Sequence, residues 1–210
     1  MHTLYYAPGA ASMVVHWLLL ELDQAPELRL LDFATREQKS PEYLALNPSG
    51  VVPTLVIDGE PMSEAAAILM HLADTHPDAG FAPAIGDPSR RNCYQWMFHL
   101  ANMVQPLLRQ WWYPAEAAGE AHVDAALDQT QSRLEAAWTR LDAQLAARGP
   151  YLLGEHVSVV DFYLTMLMRW ARKTRQPPTT WPHLAAHAQR MKARPSFQAL
   201  YRREGLSEWN

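Results

Sequence analysis

The sequence predicts an α/β domain followed by an all-α domain. Residues 1–77 mix short strand and helix signals, whereas the chain beyond about residue 86 reads as long helices broken by Pro or Gly. Between them Pro77, Gly80, Pro83, Gly86 and Pro88 fall in a stretch of little periodicity, as an interdomain connection does. At about 150 residues per domain, a chain of 210 residues is expected to form one or two domains. The expected organisation is therefore 1–77 as the α/β domain, 78–86 as a linker and 87–210 as the helical domain.

His2 to Tyr6 is a short run rich in aromatic residues, closed by Pro8-Gly9, and reads as a strand. Ser12 can then cap an apolar helix through Leu22. Glu27 to Phe33 alternates toward a second strand, and Ser40-Pro41 introduces a short helix to Leu46. Val51 to Ile57 is β-branched, Asp58-Gly59 is a hairpin signal, and Glu60 to Met62 returns as the partner strand. Ser63 is expected to open a helix through about Thr75. Helical periodicity follows over Arg90 to Trp112, Val123 to Arg148, Ser158 to Arg175 and His183 to Lys192, with a last short helix after Pro195. The alanine-rich stretch at 116–126 reads as a loop leading into a helix.

With 49% hydrophobic and 19% charged residues the chain has an ordinary globular composition. The run from Val14 to Leu20 is interrupted by His16 and stops at Glu21, far short of the roughly 20 residues of a membrane span. No basic segment followed by an apolar run opens the chain, so a cytoplasmic location is expected. A net charge of −4 argues against a field that gathers nucleic acid or anionic lipid. Cys93 is the single cysteine, which excludes intramolecular disulfides and a zinc site built on several thiolates. In mid-helix it reads as a small apolar core residue. His183 and His187 share a helix face, but no third ligand accompanies them, and no metal is expected. Small molecules and proteins remain as partners.

Pro53 follows two valines at the start of a strand, where a residue without an N–H is tolerated, and it is a candidate cis bond. Val52 would then direct its N–H and C=O at an extended ligand. Glu64 stands beside Ser63 in the first turn of the next helix, where free amides and the dipole attract a carboxylate. A peptide's α-amino group can pair with Glu64 while its carboxylate meets those amides. An ordinary helix cap with a stabilising acid is the other reading of the same pair.

Three segments resemble cytosolic glutathione S-transferases, nearest the bacterial β class: Tyr5-Tyr6-Ala7-Pro8-Gly9-Ala10-Ala11-Ser12, Asn47-Pro48-Ser49-Gly50-Val51-Val52-Pro53-Thr54-Leu55 and Ser63-Glu64-Ala65-Ala66-Ala67-Ile68. Ser158-Val159-Val160-Asp161 and Arg194-Pro195 extend the resemblance over essentially the whole chain. It implies a thioredoxin-like first domain, an all-helical second domain, a homodimer and glutathione as co-substrate. It also implies a cis Pro53, main-chain pairing of Val52 with the cysteinyl part of glutathione, and a grip on the γ-glutamyl end by Ser63 and Glu64. Ala65 stands where a serine or threonine is common and offers only its N–H. Lys39 is a candidate partner of the glycine carboxylate, or a plain exposed lysine at a helix start.

The sequence departs from the β class where a thiol would be activated. Ala11 matches a cysteine of that class, Gln105 and Pro106 match a histidine and a lysine, and Ala10 matches the serine of another group. Shifting a thiol from pH 8.5 by about two units takes roughly 2.7 kcal/mol, the size of one charge-assisted hydrogen bond plus a helix dipole. Ser12 is the first candidate to supply it and Tyr6 the second, while Tyr5 belongs to the opposite strand face. Capping explains Ser12 equally well, and strand packing explains Tyr6.

Ser158 to Asp161 reads as a capping box, with a structural role. Trp112, Tyr113 and Trp170, with Trp111 and Met103 nearby in sequence, can line an apolar pocket for an electrophile, although aromatics at helical spacing also build cores. The expected function is a detoxifying transferase whose bound glutathione thiolate attacks a small apolar electrophile. A noncatalytic adaptor on the same fold, or a glutathione-dependent isomerase or lyase, are the alternatives.

Overall fold

The computed structural model describes residues 2–209. By contacts the chain forms two compact units, one of residues up to Gly80 together with Ala193–Glu208, the other of Phe81–Lys192 with Trp209.

The first unit is thioredoxin-like. Its strands are β1 (His2–Tyr6), β2 (Glu27–Leu30), β3 (Thr54–Ile57) and β4 (Glu60–Ser63), in the order β2-β1-β3-β4. β1 runs parallel to β2 and antiparallel to β3, and β3 is antiparallel to β4. The parallel pair requires a crossover, which is helix α1 (Ser12–Glu21). Every residue of α1 from Ser12 to Leu19 is buried, so the helix is covered all round rather than on one stripe. Helices α2 (Pro41–Leu46) and α3 (Ala65–Thr75) complete the N-terminal part. Ser40 caps α2, its Oγ accepting from the Tyr43 N–H at 3.2 Å.

Three local expectations are corrected. Ser12 is not the cap of α1: Ala11 holds that position without a side-chain bond. β2 ends at Leu30 because Leu31 gives its N–H to Tyr6 and Asp32 gives its own to the Glu37 carboxylate at 2.7 Å, which turns the chain out of the sheet. Ser63 closes β4 opposite Thr54 instead of opening a helix, so α3 starts at Ala65 with Glu64 as its cap. The Asp58-Gly59 hairpin is present, with φ of +49° and +94° as a two-residue turn of the primed type demands.

In the second unit α4 (Arg90–His99) and α5 (Gln105–Trp112) are joined by a π-helical segment, Leu100–Val104. The sequence predicts one helix over this span. Pro106 has no N–H and its ring presses on the carbonyl four residues back, so widening the preceding turn keeps the helix continuous. Helix α6 (Pro114–Ala118) occupies part of the stretch expected to be loop, opened by Pro114 and closed at Gly119. Helices α7 (Val123–Arg148), α8 (Val159–Trp170) and α9 (Pro182–Lys192) follow. α8 is the core, buried from Val159 to Arg169.

The start of α8 is fixed by Asp161, whose fully buried carboxylate accepts from the Ser158 N–H, the Ser158 hydroxyl and the Leu152 N–H, each at 2.8 Å. His187 Nε2 of α9 meets the same carboxylate at 3.0 Å. One side chain thus ties the cap, the preceding loop and a neighbouring helix.

The last helix, α10 (Pro195–Glu204), packs in the first unit, although it follows the helical segments in sequence. Trp17 of α1 stands edge-on to Phe197 with ring centroids 5.0 Å apart, and its Nε1 donates to Ser196 Oγ at 2.8 Å. Arg194 and Ser196 both bond the Glu21 carboxylate.

Asp161→Ala strips several buried donors of their acceptor and is expected to cost about 3–5 kcal/mol. A urea midpoint lowered at unchanged slope checks this; a loss under about 1 kcal/mol would refute the role given to the carboxylate. Burial pushes the His99 imidazole below its usual 6.5, with Arg140 adding repulsion. The unfolded chain therefore takes up the proton first, so this contribution is complete above pH 6.5 and is lost as pH falls through the folded value. A His99→Gln variant should lose less stability than the wild type between pH 7 and 5, read from midpoints at each pH. Equal slopes would exclude the effect.

Candidate functional site

In the first unit the strand register gathers the site. Tyr5 lies opposite Thr54, and Thr54 opposite Ser63, so one row crosses three strands. The segments leaving that row at the same end are Tyr6 to Ser12, Val52-Pro53 and Glu64-Ala65. Ala7 and Val52 share a buried cluster with Leu31 and Tyr43, against which Ala10 packs.

The turn before α1 is built from its own backbone. Ala10 donates to the Ala7 carbonyl at 3.1 Å, and Met13 donates to that of Ala10 at 3.0 Å. The Ser12 hydroxyl is fully buried and closes this turn: it donates to the Ala7 carbonyl and accepts from the Ala7 N–H, both at 3.2 Å. Placed inside the helix instead of before it, Ser12 points back at the loop. Tyr6 is half-buried with its ring edge-on to His16, centroids 6.1 Å apart, and its hydroxyl has no hydrogen bond among the described residues. Tyr5 faces Tyr43 across the other side of the sheet.

Two residues that sequence reasoning missed brace the same turn. The Glu204 carboxylate of α10 accepts from the Gly9 N–H at 2.9 Å and meets His16 Nδ1 at 2.8 Å, both side chains fully buried. Their 188-residue separation leaves no spacing signal to find them by.

The Val52-Pro53 bond is cis. Val52 is buried, and its main-chain N–H and C=O have no hydrogen-bond partner among the described residues. The preceding carbonyl, of Val51, accepts from the Tyr43 hydroxyl at 2.6 Å and from Asn47 Nδ2 at 2.8 Å. Burial pushes the Tyr43 phenol above its usual 10.0, so it is neutral and a donor.

Glu64 has φ +68° and ψ +103°, a conformation that side chains rarely adopt and that costs of order 1–3 kcal/mol. Its carboxylate is exposed, caps nothing and has no partner among the described residues. Behind it, Ser63 is held in β4 and Ala65 is buried at the first position of α3. Strain at a residue whose side chain does nothing for the fold distinguishes Glu64 from an ordinary helix cap.

Lys39 is exposed and lies over the turn after α2, donating from Nζ to the Ser49 carbonyl at 3.1 Å. Gly50 passes so close beneath it, at φ +59°, that a Cβ there would come within 2.6 Å of Nζ.

In the second unit Trp112 and Tyr113 end α5 with 41% and 54% of their surfaces exposed, and Met103 is exposed on the π segment. Trp111 stands perpendicular to Trp112, and the Arg109 guanidinium covers Tyr113 at 5.1 Å while pairing with Glu116. Trp170 is half-buried at the end of α8. Gln105 accepts through Oε1 from the Tyr163 hydroxyl. Large aromatics left this exposed are not core residues. His183 and His187 bond different carboxylates, of Asp142 and Asp161, each at 3.0 Å. Among the described residues no cluster of three metal-ligating side chains occurs, and no helix is long and apolar enough to cross a membrane.

Comparison with known proteins identifies the family. Residues 4–80 match the family described as glutathione S-transferase, N-terminal domain, and residues 124–203 the corresponding C-terminal domain. Glutathione S-transferase GST-4.5 of Xanthomonas campestris is 34% identical over 97% of this chain and 99% of its own length. A glutathione transferase homologue from Sulfitobacter, solved with bound glutathione, is 29% identical with a TM-score of 0.89, covering 99% of each chain. The bacterial β-class enzyme of Sphingomonas chungbukensis is 30% identical with a TM-score of 0.85, over 98% of this chain and 100% of that one. With both domain matches, the thioredoxin-like sheet and the Val52-Pro53 and Glu64 geometry in place, this chain belongs to the glutathione S-transferase family.

Proposed function

We propose that the chain holds glutathione along Val52 and promotes attack of its thiolate on a small apolar electrophile. The observation that carries this reading is the pairing, at one end of one sheet, of an unpartnered Val52 main chain with a strained, unpartnered Glu64. An extended tripeptide supplies what each lacks: a main-chain donor and acceptor at its cysteine for Val52, and an ammonium group for Glu64. Its γ-glutamyl carboxylate meets the Ser63 hydroxyl and the Ala65 N–H at the head of α3. Lys39 is placed to take the glycine carboxylate.

The thiol would lie at the start of α1, where the helix dipole favours the anion. The Tyr6 hydroxyl, uncommitted among the described residues, is the donor we assign to the thiolate. The role expected of Ser12 is reassigned to shaping the turn, since both its hydrogen bonds go to Ala7. Because the nucleophile belongs to the co-substrate, the alanine at position 11 does not close this route. The apolar electrophile is assigned to the exposed aromatic surface of Trp112, Tyr113 and Trp170. On the family's pattern we place the protein in the cytoplasm as a homodimer with a role in detoxification.

Titration calorimetry with reduced glutathione tests the reading. Binding by the wild type, weakened at least about tenfold in Glu64→Ala, is the expected outcome, and thiolate absorbance in the complex should appear below the pH of free glutathione. No binding to the wild type would refute it. The strain at Glu64 gives a separate expectation: Glu64→Gly should be more stable than Glu64→Ala by roughly 1 kcal/mol in urea unfolding, because glycine accepts positive φ. Equal midpoints would show that no strain is stored there.

A further inference from the structure

We propose that Tyr43 and Asn47 are positioning residues for the ligand edge at Val52, acting through the carbonyl of Val51; this rests on the glutathione-binding reading above. Val51 is exposed as a side chain, yet its carbonyl is turned inward onto two donors from buried residues, the Tyr43 hydroxyl at 2.6 Å and Asn47 Nδ2 at 2.8 Å. Both donors also touch the fully buried Thr54 Oγ1, at 2.8 and 3.2 Å. The hydrogens can be assigned without a conflict. Tyr43 spends its single O–H on Val51, so the Thr54 hydroxyl donates to Tyr43. Asn47 donates one amide hydrogen to Val51 and the other to Thr54. Asn47 Oδ1 is occupied as well, by the Ser49 N–H at 3.1 Å. The circuit joins α2, the residue that ends it and the first residue of β3.

Its consequence falls on the next residue. Pro53 confines Val52 to extended conformations, and in an extended run successive residues present their main-chain groups to opposite sides. Pinning the Val51 carbonyl inward therefore turns the Val52 N–H and C=O outward and holds them there before a ligand arrives. Pre-set geometry removes ordering cost from binding, so losing one anchor should weaken glutathione binding without touching the thiol chemistry.

The test is Tyr43→Phe, which deletes one oxygen, with Thr54→Val as a second variant that leaves both donors of Val51 in place. Three readouts are compared with the wild type: calorimetric Kd for reduced glutathione, KM for glutathione and kcat with a chlorodinitrobenzene electrophile, and the Val51 carbonyl carbon shift with Val52 amide exchange in the free protein. In Tyr43→Phe the expected result is a Kd and KM raised about fivefold, kcat within about twofold, a displaced Val51 carbonyl resonance and faster Val52 exchange. Thr54→Val should show smaller changes in the same direction. A purely structural role would lower the urea midpoint and leave KM unchanged, and that outcome overturns the proposal. Unchanged Kd beside a displaced Val51 resonance overturns it as well. A wild type that binds no glutathione would instead sink the proposed function and this assignment with it, and is told apart because no variant is needed to see it.

Discussion

The antiparallel register that sets Tyr5 against Thr54 and Thr54 against Ser63 is the constraint on which the site depends. A strand slipped by one residue turns every side chain to the other face, and here it would carry Leu4 and Leu55 out of the core. It would also separate the three segments that leave the sheet together. Pro53 marks where β3 must begin, since it cannot donate to a ladder, and the Asp58-Gly59 turn fixes the return of β4. The candidate binding edge is thus a by-product of how the sheet closes its core.

Buried carboxylates finish what the sheet begins, one in each unit. Glu204 anchors the Gly9 amide of the turn before α1, and Asp161 anchors the turn before α8. In both cases a loop that would otherwise be free to shift is tied to a helix far along the chain. A buried carboxylate is tolerable only when its oxygens are well supplied with donors, and both are.

The proposed chemistry rests on arranging groups that belong to the backbone and to the co-substrate. No cysteine occupies position 11, and the Ser12 hydroxyl is spent on Ala7. What the first unit retains is a helix N-terminus, the Tyr6 hydroxyl, the Val52 main chain and the Glu64 carboxylate. In the second unit Gln105 takes a bond from Tyr163, and Pro106 goes with a widened helical turn before it.

By itself the sequence determined the order of the strands and helices in residues 1–77, the hairpin at Asp58-Gly59, the capping role of Asp161 and the motif around Val52-Pro53. Each is set by residues close together in the chain, through periodicity, a turn that needs positive φ or a missing N–H. Only the tertiary structure decided that Ser12 faces Ala7, that Ser63 ends a strand, that α10 packs against Trp17, that Glu204 bonds Gly9 and that Tyr43 bonds the Val51 carbonyl. Periodicity tells which face of a helix is apolar and is silent on what that face meets. A hydrogen bond such as that between His16 and Glu204 exists only once distant segments are packed, because its partners have no spacing in sequence that could announce it.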